Sequence, residues 1–190
     1  MSQTTLIVPE INLQRRSFLG QATLSATAIA LLSGCGALSA TAVAADAEQD
    51  ARILDTALAA EQEAIAAYQL GADSGLLQAE VRALALQFQD HHKAHAELLA
   101  KTVRTLGGVP SEPKAEYAFP LERLNNQTDV LRFAAELEQG AVSAYLGAVP
   151  LFGERELAKA AASILGDEAM HWAILRQALG QDPVPVAFVA

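Results

Sequence analysis

The sequence predicts an all-α protein, a four-helix bundle of two helix hairpins joined by one long crossover. Three observations predict it. Alanine is the commonest of the 190 residues and only 5% are aromatic, a composition that favours helix over strand. From Asp46 onward, apolar residues recur at spacings of three and four in four long stretches, the period of an amphipathic helix. The first and third breaks between these stretches are short, whereas the second is long and proline-rich, which is the loop pattern of two hairpins and a crossover.

The chain opens with a different pattern. Arg15 and Arg16 precede Phe18 and Leu19, and an uncharged run follows to Leu32. A basic pair ahead of an apolar run too short to span a membrane is the pattern of an export signal. The paired arginines resemble the twin-arginine signal, which sends folded proteins across the inner membrane; the alternative is an ordinary secretory signal. Leu32-Ser33-Gly34-Cys35 resembles a bacterial lipobox, in which Cys35 becomes the lipidated first residue. A competing cleavage site lies at Ala42-Val43-Ala44 or Val43-Ala44-Ala45. The expected organisation is therefore a signal at 1–35, a linker at 36–47 and a helical domain at 48–190, in an exported, periplasmic and lipid-anchored protein. Removing residues 1–34 leaves 21 acids against 11 bases, so the mature domain is more acidic than the whole chain at −9. That balance argues against nucleic acid as a partner. The single Cys excludes an intrachain disulfide framework and a cysteine-based metal cluster.

Helix one is expected over roughly 48–71, with Leu54, Leu58, Ile65 and Tyr68 on one stripe and Gly71 near its end. Helix two runs from Ser74 as N-cap to Leu106, where Gly107-Gly108 stops it. Its stripe is Leu77, Val81, Leu84, Phe88, Leu99 and Leu106. The connection GGVPSEPKAEYAFP follows, with a short helical turn before Asn125. Helix three starts with Thr128 or Asp129 as N-cap and ends at Pro150, and helix four runs from about Gly153 to Gly180 before an extended tail.

Polar residues interrupt all four stripes near their middles. Glu61 lies between Leu58 and Ile65, and His92 (or His91) and His95 between Phe88 and Leu99. Glu138 lies between Ala134 and Tyr145, and Glu168 and His171 between Ile164 and Leu175. Isolated buried carboxylates neutralise unless they are paired or metal-bound. Three acids and three imidazoles at one depth have the composition of a metal site. The chain also repeats itself. EQEAIAAY at 61–68 matches EQGAVSAY at 138–145, and HKAHAELL at 92–99 matches EAMHWAIL at 168–175. Each half is a helix with one central Glu followed by a helix with a ligand-like pair at i, i+3, which places both side chains of the pair on one face.

This pattern is similar to the ferritin-like superfamily of di-iron carboxylate bundles, where each half gives a Glu and a Glu-x-x-His. More narrowly, GAVSAYLGAVPLF and AASILGDEAMHWAILRQALGQDPVPVAF resemble a bacterial and fungal ferritin-like domain family that includes stress and desiccation-related proteins. The resemblance implies the ferritin-like fold, with Glu61, His95, Glu138, Glu168 and His171 as metal ligands. The departure is residue 92, where the superfamily expects Glu and this chain has His. Three carboxylates and three neutral imidazoles leave a positive charge over on two divalent ions, so the expected cofactor is two ions with iron first, or a single ion. The third nitrogen donor shifts preference from Mn toward Fe, Cu or Zn.

Other residues have plainer readings. Glu61 and Glu138 could be hydrogen-bonded core acids. Tyr68, Tyr145 and Trp172 read as packing residues, while Glu63, Glu97 and Glu136 read as solvent-facing. Asp90 is either a second-sphere partner of a histidine or a solvated charge. Three functions follow: metal binding with a role in metal or oxidative stress at the envelope, a metal-dependent oxidoreductase of ferroxidase or peroxidase type acting on oxygen or peroxide, and a metal-free helical envelope protein. The partners expected are metal ions, oxygen or peroxide, the membrane through Cys35, and a second copy in a homodimer. No flavin, haem or nicotinamide motif is present to supply electrons.

Overall fold

A computed structural model describes residues 36–189, with side chains described from Asp46. Arg15, Arg16 and Cys35 lie outside the described residues, as does the rest of the expected signal. Among the described residues, four α-helices form the fold: α1 (Gly36–Asp73), α2 (Ala79–Thr105), α3 (Gln127–Ala148) and α4 (Arg155–Ala178). Short links join α1 to α2 and α3 to α4, and the long connection between α2 and α3 carries a single 3-10 turn at Leu121–Arg123. The bundle is all-α, paired as two hairpins in the ferritin-like arrangement. Among the described residues, no helix is long and apolar enough to cross a membrane.

The helix ends differ from expectation in ways the local chemistry explains. Helix α1 begins at Gly36 rather than near 48, so the expected linker at 36–47 is helical. The alanines that read as a peptidase site are also the best helix formers. Ser74 does not cap α2. Its hydroxyl donates to the Gly71 carbonyl at 2.7 Å and accepts from the Leu76 amide, so it closes α1, with Gly75 at φ 71° turning the chain. Helix α2 therefore starts five residues later than Ser74, at Ala79. Asn126, rather than Thr128 or Asp129, caps α3 by accepting from the Asp129 amide. Helix α4 is capped by Glu154 and ends at Ala178, two residues short of Gly180. Pro150 ends α3 as expected, through a 3-10 turn at Val149–Leu151.

Two carboxylates on α1 pin the connections. Buried Asp50 accepts the Gly153 and Glu154 amides at 2.9 and 3.1 Å, which fixes the start of α4. Asp55 accepts both the amide and hydroxyl of Ser111, and Gln62 donates to the Ser111 carbonyl at 2.7 Å. The crossover is thus held against α1. The core divides in two. Leu54, Leu58, Leu99, Val103, Tyr145, Ala161 and Ile164 form one apolar cluster, and Tyr68, Phe88, Leu131, Ala135 and Leu175 form the other.

Candidate metal centre

Between these clusters lies a layer of buried polar side chains. Reading along each helix, Glu61 falls between Leu58 and Tyr68, His92 and His95 between Phe88 and Leu99, Glu138 between Ala135 and Tyr145, and Glu168 and His171 between Ile164 and Leu175. The structure brings all six sequence-predicted site residues together. Glu61, His92, Glu138, Glu168 and His171 are each 3% exposed or less, and His95 is half-buried.

The six divide into two overlapping groups. Glu61, His92, His95 and Glu168 each present one donor atom within 4.8 Å of the others, and so do His92, Glu138, Glu168 and His171. His92 and Glu168 belong to both. The His92 ring spans the pair, with Nδ1 2.7 Å from Glu61 Oε2 and Nε2 3.3 Å from Glu138 Oε1. His95 Nδ1 lies 3.0 Å from Glu168 Oε1, and His171 Nδ1 lies 3.3 Å from Glu168 Oε2. The internal repeat is therefore spatial as well as sequential: each half supplies one Glu and one His to its own group, and the α2 and α4 residues at repeat-equivalent positions, His92 and Glu168, are shared.

Burial opposes charge on His92, yet hydrogen bonds to Glu138 and Glu61 outweigh it and push the imidazole up to about 10. The same contest lifts His95 to about 9 through Glu168 and Glu61, and His171 to about 9 through Glu138 and Glu168. Burial likewise opposes ionisation of Glu61 and Glu138, but their histidine partners hold both below the ordinary carboxylate value. Without an ion, the layer is a set of imidazolium–carboxylate pairs.

These pairs leave several donor atoms poorly satisfied. His95 Nδ1, Glu138 Oε2, both oxygens of Glu168, and His171 Nδ1 are buried without a well-aligned hydrogen bond; for His95 and His171 the Glu168 oxygens at 3.0 and 3.3 Å supply an ion-pair contact only. Among the described residues these are all the side-chain atoms in that condition, and every one belongs to the predicted six. Buried polar atoms normally find well-formed hydrogen bonds, so five that do not, converging in one layer, fit a cation-binding role. Two carboxylates and two imidazoles in each group suit a borderline divalent ion.

His92 rather than His91 enters the two buried groups. His91 is half-buried and sits behind His171, its Nδ1 2.8 Å from His171 Nε2. Asp90 does not orient a histidine; it is exposed and pairs with Lys93 at 2.9 Å. Glu97 and Glu136 face solvent, whereas Glu63 is half-buried. Trp172 is also half-buried, packing against the second apolar cluster with Arg176 over its ring.

Two roles went unread in the sequence. Tyr68 and Tyr145 pack in the core, and each also donates its hydroxyl to the Glu of the opposite half: Tyr145 to Glu61 Oε1 at 2.6 Å and Tyr68 to Glu138 Oε1. Burial, first, and then the neighbouring carboxylates hold both phenols well above their ordinary range, so they remain donors. The repeated Glu–Tyr spacing was the available signal. The other missed residue is Asp167, whose Oδ2 lies 3.3 to 3.4 Å from the outward nitrogens of His95 and His171.

On the opposite side, a cleft of about 560 Å³ between α1 and α3 reaches the layer. Glu61, His92, Glu138 and Tyr145 line it together with apolar residues including Ile53, Ala57 and Leu137.

The Ferritin-like domain family matches residues 49–181. The chain belongs to the ferritin-like domain family. Two solved structures share the fold. A conserved hypothetical protein from Mycobacterium tuberculosis is 22% identical with a TM-score of 0.65, covering 75% of this chain and 99% of its own. A protein from Bacillus anthracis strain Ames, described as ferritin-like and diiron-carboxylate, is 21% identical with a TM-score of 0.62, covering 70% of this chain and 97% of its own. No curated protein matches the chain. The layer of Glu61, His92, His95, Glu138, Glu168 and His171 is this member's buried His/Glu cluster, and it is able to hold metal.

Proposed function

We propose that this ferritin-like protein holds two divalent ions, iron first, in the layer formed by Glu61, His92, His95, Glu138, Glu168 and His171. The observation that carries this reading is the convergence of two four-residue donor groups in which five buried atoms lack a well-aligned hydrogen bond. The likeness to a Bacillus anthracis protein described as diiron-carboxylate supports iron, and the nitrogen-rich donor set is compatible with it. Glu61 and His95 would hold one ion, and Glu138 and His171 the second, with Glu168 serving both and neutral His92 giving its one lone pair to either of them. The test is to isolate the full chain from metal-replete cells and quantify bound metal. About two ions per chain are expected from the paired donor groups; a chain without stoichiometric metal overturns the reading.

The cleft favours a second reading, oxidation of the reduced ions by oxygen or peroxide. Bound iron would supply one-electron redox chemistry. The cleft gives a small molecule access to the cluster, and apolar clusters pack above and below it. Tyr68 and Tyr145 hold two of the carboxylates in place. Oxygen or peroxide consumption after adding Fe(II) distinguishes this from binding alone, since stoichiometric binding without consumption leaves only the first reading.

The setting we propose is the cell envelope, with a role in metal or oxidative stress. Arg15-Arg16 ahead of an apolar run and the lipobox-like Leu32–Cys35 support export and lipid anchoring.

A further inference from the structure

We infer that His91, Asp167 and His171 form a second, solvent-facing site for a transition-metal cation, through which ions load the buried layer. The site lies on the α2–α4 face. The sequence repeat that pairs His92 with Glu168 and His95 with His171 also pairs His91 with Asp167. Each of these two stands behind a histidine of the opposite half. His91 Nδ1 is 2.8 Å from His171 Nε2, and Asp167 Oδ2 is 3.3 Å from His95 Nε2. Asp167 Oδ2 also lies 3.3 Å from His91 Nδ1 and 3.4 Å from His171 Nε2.

The three donor atoms form a triangle with edges of 2.8, 3.3 and 3.4 Å. Donors bound about 2.1 Å from a tetrahedral ion stand about 3.4 Å apart, so the triangle closes on a cation with little movement. Two imidazoles and one carboxylate select Fe(II), Co(II), Zn(II) or Cu(II) over Mg(II) or Ca(II). The side chains of His91 and Asp167 are 38% and 24% exposed, against 2% for His171. The group therefore runs from solvent to the buried layer. By contrast, the α1–α3 cleft has mostly apolar walls, and outside the layer and Tyr145 it offers an ion only the side-chain oxygens of Thr56, Glu63 and Glu136, with no imidazole.

His171 joins the two sites. Its Nε2 faces His91 and Asp167, while its Nδ1 faces Glu138 and Glu168 at 3.5 and 3.3 Å. One neutral imidazole presents one lone pair at a time, so the outer ion and the inner ion draw on the same ligand in turn. The outer site is a transient stop on the way to the layer.

The test is Co(II) loading of the metal-free full chain, followed by visible absorption, for the wild type, His91→Ala and Asp167→Asn. The wild type is expected to show an early Co(II) species that gives way to the final spectrum. His91→Ala loses the early species and fills about tenfold more slowly or worse, as expected when the outer stop loses one of its two nitrogen ligands, and reaches the same final Co(II) content and affinity. Asp167→Asn slows filling in the same direction. Loading of His91→Ala at the wild-type rate with the same phases overturns the proposal. So does a loss of final affinity without loss of the early phase, because that is the signature of a residue that only orients His171. The outcomes also separate this site from the buried one. A wild type that binds a single Co(II), lost in His91→Ala, retains the outer site and removes the two-ion layer; a chain that binds no Co(II) removes both.

Discussion

Tyr145 donates its hydroxyl to Glu61 across the bundle at 2.6 Å, and Tyr68 does the same to Glu138. Each half of the repeat thus steadies the carboxylate of the other. A hydrogen bond to a charged acceptor contributes about 1.5–3 kcal/mol. Tyr145→Phe is therefore expected to destabilise the metal-free protein by about that amount, measured by urea unfolding, and Tyr68→Phe by a similar amount. An unchanged unfolding midpoint for both would show that the hydroxyls contribute nothing beyond packing.

The metal-free protein should lose stability at both ends of the pH range, and the gain from metal should grow with pH. His92 is raised to about 10, and His95 and His171 to about 9, from an ordinary value of 6.5. A raised histidine contributes stability that is complete below 6.5 and lost as pH rises through the folded value. Glu61 and Glu138 are lowered from 4.5, so their contribution is complete above 4.5 and lost as pH falls below the ordinary value toward the folded one. The metal-free protein should thus lose stability both in acid and as pH rises through about 9 to 10. Metal competes with protons for the same atoms, so the rise in Tm on adding metal should grow from pH 5 to pH 9. Thermal melts with and without chelator check this, and a metal-induced rise that shrinks over that range would contradict it.

The fold was legible because each stripe is long and periodic, and the layer because it breaks all four stripes at one depth. Leu54, Leu58, Phe88, Leu99, Ile164 and Leu175 are all buried as the spacing requires. The helix ends were less legible because they are decided by single hydrogen bonds. Ser74 is chemically suited to cap either neighbouring helix, and only the turn at Gly75 assigns it to α1. Glu61 and Glu138 could be placed from stripe position alone, whereas the stripe left His91 and His92 as alternatives. The Tyr68 and Tyr145 hydroxyls, Asp167 and Asp50 could not, since their partners lie on other helices or in links far along the chain.

Asp50 illustrates the point in energetic terms. It is buried and its two oxygens satisfy the amides that precede α4. Asp50→Ala leaves two amides without their acceptor, at a cost of about 1–3 kcal/mol each if water cannot replace it. The expected result is a lower urea midpoint, with bound metal per chain retained because the link lies away from the layer. Metal loss at unchanged stability would be the contrary result.

Export and anchoring make a separate prediction. Replacing Arg15 and Arg16 by Lys should retain the precursor in the cytoplasm, whereas Cys35→Ser should allow export and abolish lipid labelling and membrane fractionation. If Cys35→Ser fractionates and labels as the wild type does, cleavage at Ala42-Val43-Ala44 or Val43-Ala44-Ala45 becomes the better account.

His92 sits between Glu61 and Glu138 with a nitrogen toward each, at the position where the resemblance led to the expectation of a Glu. Protonated, it neutralises carboxylates that would otherwise face each other across the layer, so the metal-free state remains a paired one. His92→Glu replaces that cation with a fourth buried carboxylate, and like charges at this depth are costly. The metal-free variant should unfold more easily, or take up protons to stay neutral. Metal binding should then raise its Tm by more than it raises the wild type's, because the ions would relieve a repulsion that the wild type does not have. Paired melts of the two proteins with and without Fe(II) or Co(II) make the comparison. If the variant's metal-free stability and its metal-induced shift both equal the wild type's, His92 neither balances the carboxylates nor contributes to the ion-binding layer.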